Sequence, residues 1–281
     1  MPNHIADLTQ FAPTLLKAMG IAPLPHMSPA CGPLEALLRA PAGGNVTRAA
    51  IFHADAVPAY VIRRHPALFA PVRRMSRLEV PFRAVMPSIT PVCFAAMYSG
   101  AYPDRNGVPR YLPPVLTSEC IQPRIRCETV IEALVRAGRR VAVITCSNGC
   151  IASMLYGRGA EMRIIDGDDD AAMFESAMDA LRADTFDVVF LYQLSYDYTM
   201  HRYGPESPEA LDVLRTLGER YERFAGAAVG AWRGERVLTV FNADHGAHRV
   251  ENVPDHKGAH GEDIPEDMEM TWFFGIHSPA A

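Results

Sequence analysis

Residues 208–244 read PEALDVLRTLGERYERFAGAAVGAWRGERVLTVFNAD. The first part, PEALDVLRTLGERYERFAGAAVGAW (208–232), reads as one long helix. The run that follows, ERVLTVFNAD (235–244), is rich in β-branched and aromatic residues and stops at Asp244. The stretch therefore predicts a helix over 208–232 and then a strand. That strand is almost continuously apolar, as expected when both faces of a sheet are covered.

The same unit recurs upstream. TVIEALVRAG (129–138) is helical in period, ends at Gly138, and precedes the strand RVAVIT (140–145). AAMFESAMDALRA (171–183) is amphipathic and precedes FDVVFLYQL (186–194). VTRAAIFHAD (46–55) reads as a strand ending at Asp55, and ITPVCFAAMYSG (89–100) as a helix opening after Pro87 and Ser88. Alternating helices and buried strands predict an α/β fold whose mostly parallel central sheet is sandwiched by helices. One domain is expected over 1–281, with a helical segment at 1–45 and the core at 46–277. The acidic DGDDD (166–170) reads as a solvated loop before a helix.

Composition narrows the partners. The chain has 281 residues and a net charge of −5, which suggests no nucleic-acid surface. No apolar run approaches the ~18 residues of a membrane span, and MPNHIADLTQ lacks the basic start of a secretory signal. Six cysteines are scattered without zinc-knuckle spacing, so reduced thiols and a cytoplasmic location are expected. A homodimer is the base-rate expectation.

Sheets of this kind gather ligands at the carboxyl ends of their strands. Three predicted strands run into carboxylates there: Asp55, Asp197 and Asp244. Together on one edge they would repel unless a cation neutralised them. His245 follows Asp244. His201 lies four residues after Asp197, on the same face if the segment is helical. His260 closes the set. Carboxylates with imidazoles suit zinc or a similar first-row ion. Ser88 and Thr90 stand at a predicted helix N-terminus, where backbone N–H groups favour an alkoxide or phosphate. Either residue can be a nucleophile, and either can be a cap.

In order, the chain carries a strand-end Asp, P-S-x-T before a helix, S-G-x-Y-P-x-x-x-G (99–107), D-x-x-x-H-x-x-G-P (197–205), A-D-H-G (243–246) and a late H-G (260–261). This succession resembles the alkaline phosphatase superfamily and, within it, the type I phosphodiesterase/nucleotide pyrophosphatase family, to which phosphonoacetate hydrolase is related. The resemblance covers residues 46 to 277 and implies two divalent metal ions, Zn2+ by preference, with Mn2+ the other candidate. It implies that Asp197, His201 and His260 hold one ion, and that Asp55, Asp244, His245 and Thr90 hold the other. Thr90 is then the nucleophile, forming a phospho-threonine that water hydrolyses, with Ser88 the second choice.

Some positions depart from the family. PVCF follows Thr90 where the family has an aromatic residue and P-N-H. NGVPRYL offers Arg110 and Tyr111 where the family has an Asn that helps bind a phosphate oxygen. Ala56 replaces the Gly common after the first Asp. His260 follows His245 by only fifteen residues, implying a small cap or none and leaving substrate selection to segments 105–128 and 147–170. His248 and His256 match no family position. They are expected at the surface or behind the ligands, with His256 a candidate substrate contact. HIADLTQFAPTLLKAMGIAPLP (4–25) resembles a segment that relatives carry near their C-terminus, which suggests a circular permutation with adjacent termini. The expected function is cleavage of a small phosphate ester or phosphoanhydride. The alternatives are a phosphonate hydrolase, a phosphomonoesterase, or a non-catalytic metal-binding protein on the same scaffold.

Overall fold

A computed structural model describes residues 6–32, 34–35, 44–109, 125–251 and 253–278. Eight strands build one sheet: β1 (Ala6–Asp7), β2 (Arg48–Ala54), β3 (Leu78–Arg83), β4 (Val141–Cys146), β5 (Glu161–Ile165), β6 (Val188–Gln193), β7 (Val237–Asn242) and β10 (Glu269–His277). Their order across the sheet is β1-β3-β10-β7-β2-β6-β4-β5. Only β10 runs antiparallel to its neighbours, β3 and β7; every other pairing in this sheet is parallel. A small ribbon, β8 (His248–Arg249) against β9 (Gly258–Ala259), stands apart from it.

β4, β6 and β7 are buried along their whole length, as their continuous apolar sequence requires. The helices that cover them are α1 (Phe11–Ala18), α2 (Thr90–Ser99), α3 (Val130–Arg136), α4 (Cys150–Leu155), α5 (Asp170–Arg182), α6 (Ser195–Tyr203) and α7 (Pro208–Ala231). α7 forms where one long helix was expected and buries an apolar stripe of Ala210, Leu214, Leu217, Tyr221, Phe224 and Ala228, and Ser207 caps its first turn by accepting from the Ala210 N–H. Each fully buried Leu or Phe of that stripe contributes roughly 1.5–3 kcal/mol.

Local pattern assigned no strand at β3, β5 or β10. β3 alternates sides, the pattern of a half-covered strand, and β10 lies between strands far away in sequence. The segment expected to be helical at 1–45 is helical over α1, whereas Ala6–Asp7 joins the sheet edge beside β3. Residues 1 and 281, whose proximity tests the permutation, lie outside the described residues.

Three adjacent strands, β7, β2 and β6, decide where the site lies. Register pairs Ala54 with Gln193 and His53 with Asn242. The residues just beyond those pairs therefore emerge side by side, with neighbouring strands about 4.8 Å apart.

Candidate metal centre

Asp55 directly follows β2. Its neighbour Ala56 adopts φ +62°, the left-handed region. A Cβ there costs roughly 1–2 kcal/mol, which explains the glycine common at this point in the family. The turn lets the Ala56 N–H donate to Asp244 Oδ1 at 3.3 Å. Asp244 and His245 emerge from β7. Asp197 and His201 project from the first two turns of α6, and His260 follows β9.

The six side chains form two groups, Asp55–Asp244–His245 and Asp197–His201–His260, each with its ligand atoms within 4.8 Å of one another. Hydrogen bonding fixes what the histidines present. His201 Nδ1 lies 2.8 Å from Gly258 O, His260 Nδ1 3.1 Å from Ser88 O, and His245 Nδ1 2.9 Å from Gly246 O. Carbonyl oxygens only accept, so each Nδ1 carries a hydrogen and donates it. In the neutral ring, Nε2 then directs a lone pair inward. His201 Nε2 lies 3.3 Å and His260 Nε2 3.4 Å from Asp197 Oδ1. His245 Nε2 lies 3.5 Å from Asp55 Oδ1 and 3.4 Å from Asp244 Oδ2.

Despite that proximity, Asp197 Oδ1 and Asp244 Oδ2 are buried without an aligned hydrogen-bond donor. Acceptors facing acceptors in a buried pocket need a cation. Oxygen and imidazole donors in groups of three fit a zinc-like divalent ion in each group.

Burial, then the Asp244 and Asp197 carboxylates, push the Asp55 carboxyl well above the usual carboxylate range. The Tyr192 hydroxyl, which donates to Asp55, works against that rise. Asp197 is also pushed up by burial, but His201 and His260 reverse this and hold it below its ordinary value. His201 is lowered by burial and raised more by Asp197. Burial lowers His245 in spite of Asp244.

Thr90 is the first residue of α2. Its Oγ1 lies 3.1 Å from His245 Nε2 and 3.5 Å from both Asp55 oxygens. It opens onto a cavity of about 300 Å3, shared with Asp55, Asp197, His201 and His260. Ser88 is placed otherwise: fully buried, it donates to the Glu262 carbonyl at 3.1 Å and braces the loop after His260. Arg110 and Tyr111 lie outside the described residues. His256 is exposed and stacks on His201, with ring centroids 5.1 Å apart, and it does not line the cavity. His248 sits behind the site and donates from Nδ1 to Asp267 at 2.8 Å.

Two contributors escaped the sequence reading. Asp170 was expected in a solvated loop. Its neighbours Asp166, Asp168 and Asp169 are exposed, but Asp170 is buried. It accepts from Leu194 N at 2.8 Å, Ser195 N at 3.1 Å and Ser195 Oγ at 2.5 Å, anchoring the start of α6. The signal available was a fourth acidic residue beginning a helical period, too weak to separate from its neighbours. Asn148, in the turn after β4, brings a carboxamide to the cavity wall. Asn106, nearer the family's expected Asn, instead braces its own turn through Ala101 O and Val108 N.

A family model described as type I phosphodiesterase / nucleotide pyrophosphatase matches residues 50–275. GPI ethanolamine phosphate transferase 1 of Neurospora crassa is 29% identical over 113 residues, 39% of this chain, which spans only 10% of that protein. Phosphonoacetate hydrolase from Sinorhizobium meliloti, solved with phosphonoformate, superposes with a TM-score of 0.54 at 20% identity, covering 72% of this chain and 56% of that one. Murine ectonucleotide pyrophosphatase / phosphodiesterase 5 gives a TM-score of 0.58 at 13% identity, covering 83% and 88%. At these identities the structural likeness is one of fold.

Proposed function

Because this chain belongs to the type I phosphodiesterase / nucleotide pyrophosphatase family, we propose that it is a metal-dependent phosphoryl hydrolase that cleaves a small phosphodiester through a phospho-threonine at Thr90. The observation that carries this reading is the position of Thr90 Oγ1, 3.1 Å from His245 Nε2, at the mouth of the cavity that both ligand groups share.

The residues supply the steps. Asp197, His201 and His260 would hold one divalent ion, and Asp55, Asp244 and His245 the other. Zn2+ suits the donors best. Bound there, the ions supply Lewis-acid stabilisation of charge on the attacking and leaving oxygens. The Thr90 hydroxyl passes its proton to solvent water in the cavity it lines, and the N-terminus of α2 favours the resulting alkoxide. Thr90 Oγ forms a bond to phosphorus as the bond to the leaving oxygen breaks. Water then cleaves the phospho-threonine, releasing the phosphoryl product and restoring the hydroxyl.

The cavity wall favours a diester. A diester carries a second substituent that a monoester lacks, and Ile89, Pro91, Leu194 and Tyr198 line the wall where it can rest. Among the described residues no helix is long and apolar enough to cross a membrane. Cys31, Cys93, Cys127, Cys146 and Cys150 are free thiols, which supports a reducing compartment, and on that ground we propose a cytoplasmic location.

The test compares bis-p-nitrophenyl phosphate with p-nitrophenyl phosphate on zinc- and manganese-loaded protein, with Thr90→Ala as control. A diester preference that vanishes in Thr90→Ala, with metal content retained, is expected. Activity unchanged by Thr90→Ala would remove Thr90 as nucleophile. Bound metal with no turnover of any ester or phosphonate would indicate a non-catalytic metal-binding protein.

A further inference from the structure

We infer that Asp267 is the positioning residue that fixes the two metal-ligand groups relative to each other. This inference rests on the two-metal reading above. Asp267 touches neither group, yet it is fully buried and reaches the segments that carry both.

Four contacts define the bridge. Asp267 Oδ1 accepts from His248 Nδ1 at 2.8 Å, and Oδ2 accepts from the Glu262 N–H at 2.9 Å. The Asp267 backbone carbonyl accepts from the Gly246 N–H at 2.7 Å, and its own N–H donates to Ile264 O at 3.1 Å. Gly246 is the residue whose carbonyl orients His245. Glu262 lies two residues beyond His260, and its carbonyl takes the Ser88 hydroxyl. Ser88 in turn orients His260 through its own carbonyl. His248 belongs to β8 and is paired with Ala259, the residue before His260.

The carboxylate thus ties β8 to the loop after β9: one oxygen holds His248, three residues beyond His245, and the other holds the Glu262 N–H, two residues beyond His260. The fit is tight: a Cβ on Gly246 would lie 2.0 Å from the Glu266 carbonyl. The rings of His245 and His260 lie 4.1 Å apart, centroid to centroid, although they belong to different ligand groups. A small slip of either loop would change the spacing between the ions. A buried carboxylate with both oxygens satisfied resists such a slip, because letting go of either arm leaves it charged and unpaired.

Asp267→Ala and Asp267→Asn, both loaded with Mn2+, provide the test. Electron paramagnetic resonance reports whether two ions sit close enough to couple, independently of turnover. The wild type should show a coupled pair. In Asp267→Ala that signal should give way to isolated ions, with metal affinity and kcat each falling about 10- to 100-fold and KM changing less. Asp267→Asn can keep both arms, its amide oxygen on the Glu262 N–H and its amide N–H on His248 Nδ1 once that ring carries its hydrogen on Nε2, so it should retain the coupled signal. Melting curves distinguish misfolding. If Asp267→Ala does not fold, His248→Phe, which removes one arm alone, should weaken the coupling. A folded Asp267→Ala with a wild-type coupled signal would overturn the proposal, as would equal loss in the Asn variant. A wild type that never shows a coupled pair would instead overturn the two-metal reading itself.

Discussion

Asp55→Asn should make the metal-free protein more stable and, at the same time, remove most of the stabilisation that zinc provides. Asp55 is 3% exposed. Its ligand oxygen lies within 4.8 Å of those of Asp244 and His245. Two like charges about 4.8 Å apart repel by about 3.5 kcal/mol at an effective dielectric of ~20. Burial first, and then this repulsion, raise the Asp55 carboxyl. For a carboxyl raised in the folded state, the penalty is absent below the ordinary carboxylate range, grows as pH rises from there toward the folded value, and is constant above it. At pH 8 the group must either ionise against Asp244 or keep a proton against the solution. Asparagine does neither, and its amide oxygen still accepts from Tyr192. Allowing about 1 kcal/mol for a weaker hydrogen bond to a neutral acceptor leaves a gain of about 2.5 kcal/mol. For a chain of this size that is roughly 5–10 °C in Tm. Thermal melts at pH 8, with excess chelator and then with zinc near 100 times Kd, measure both effects. Wild type should gain about 2.7 kcal/mol from the metal, and Asp55→Asn much less. A chelated Asp55→Asn that melts below chelated wild type, or gains equally from zinc, would refute the electrostatic argument.

Other expectations follow from the same packing. Asp170→Ala strips three hydrogen bonds from the start of α6, and should cost about 2–4 kcal/mol in urea unfolding; a loss under about 0.5 kcal/mol would show that α6 needs no such anchor. Gly246→Ala would press a Cβ to 2.0 Å from Glu266 O, so it should lose at least about 1–3 kcal/mol together with metal stoichiometry, and normal zinc content at normal Tm would contradict this. His53 is pushed down to about 3 by burial, against the hydrogen bond its Nδ1 donates to Asn242 Oδ1, from an ordinary 6.5. The unfolded state therefore binds more protons between those values, and stability falls as pH drops below about 6.5. By pH 5 the loss is about 2 kcal/mol. Urea midpoints should show it in wild type and not in His53→Gln, and parallel losses would exclude His53 as the cause.

Much of the fold could be read from local pattern. The α7 stripe and the continuously apolar β4, β6 and β7 have periods that only a helix against a covered sheet can bury. Spacing alone also placed Asp197 and His201 on one helical face, and α6 provides that face. β10 was not legible, because its antiparallel place between β3 and β7 depends on partners roughly 30 and 190 residues away rather than on its own composition. Asp170 looked like its exposed neighbours because burial of a single carboxylate leaves no periodic trace.

The sequence by itself determined the element alternation and the residue types at the strand ends, since both follow from local periodicity and from carboxylates that need a counter-charge. Tertiary structure alone decided that β7, β2 and β6 are neighbours, so that Asp244, Asp55 and Asp197 meet on one edge. It also decided which imidazole nitrogen faces the site, that Ser88 braces a loop while Thr90 opens to the cavity, and that His248 serves Asp267. Each of these depends on a hydrogen bond or strand pairing between residues distant in the chain, and no local period encodes such a contact.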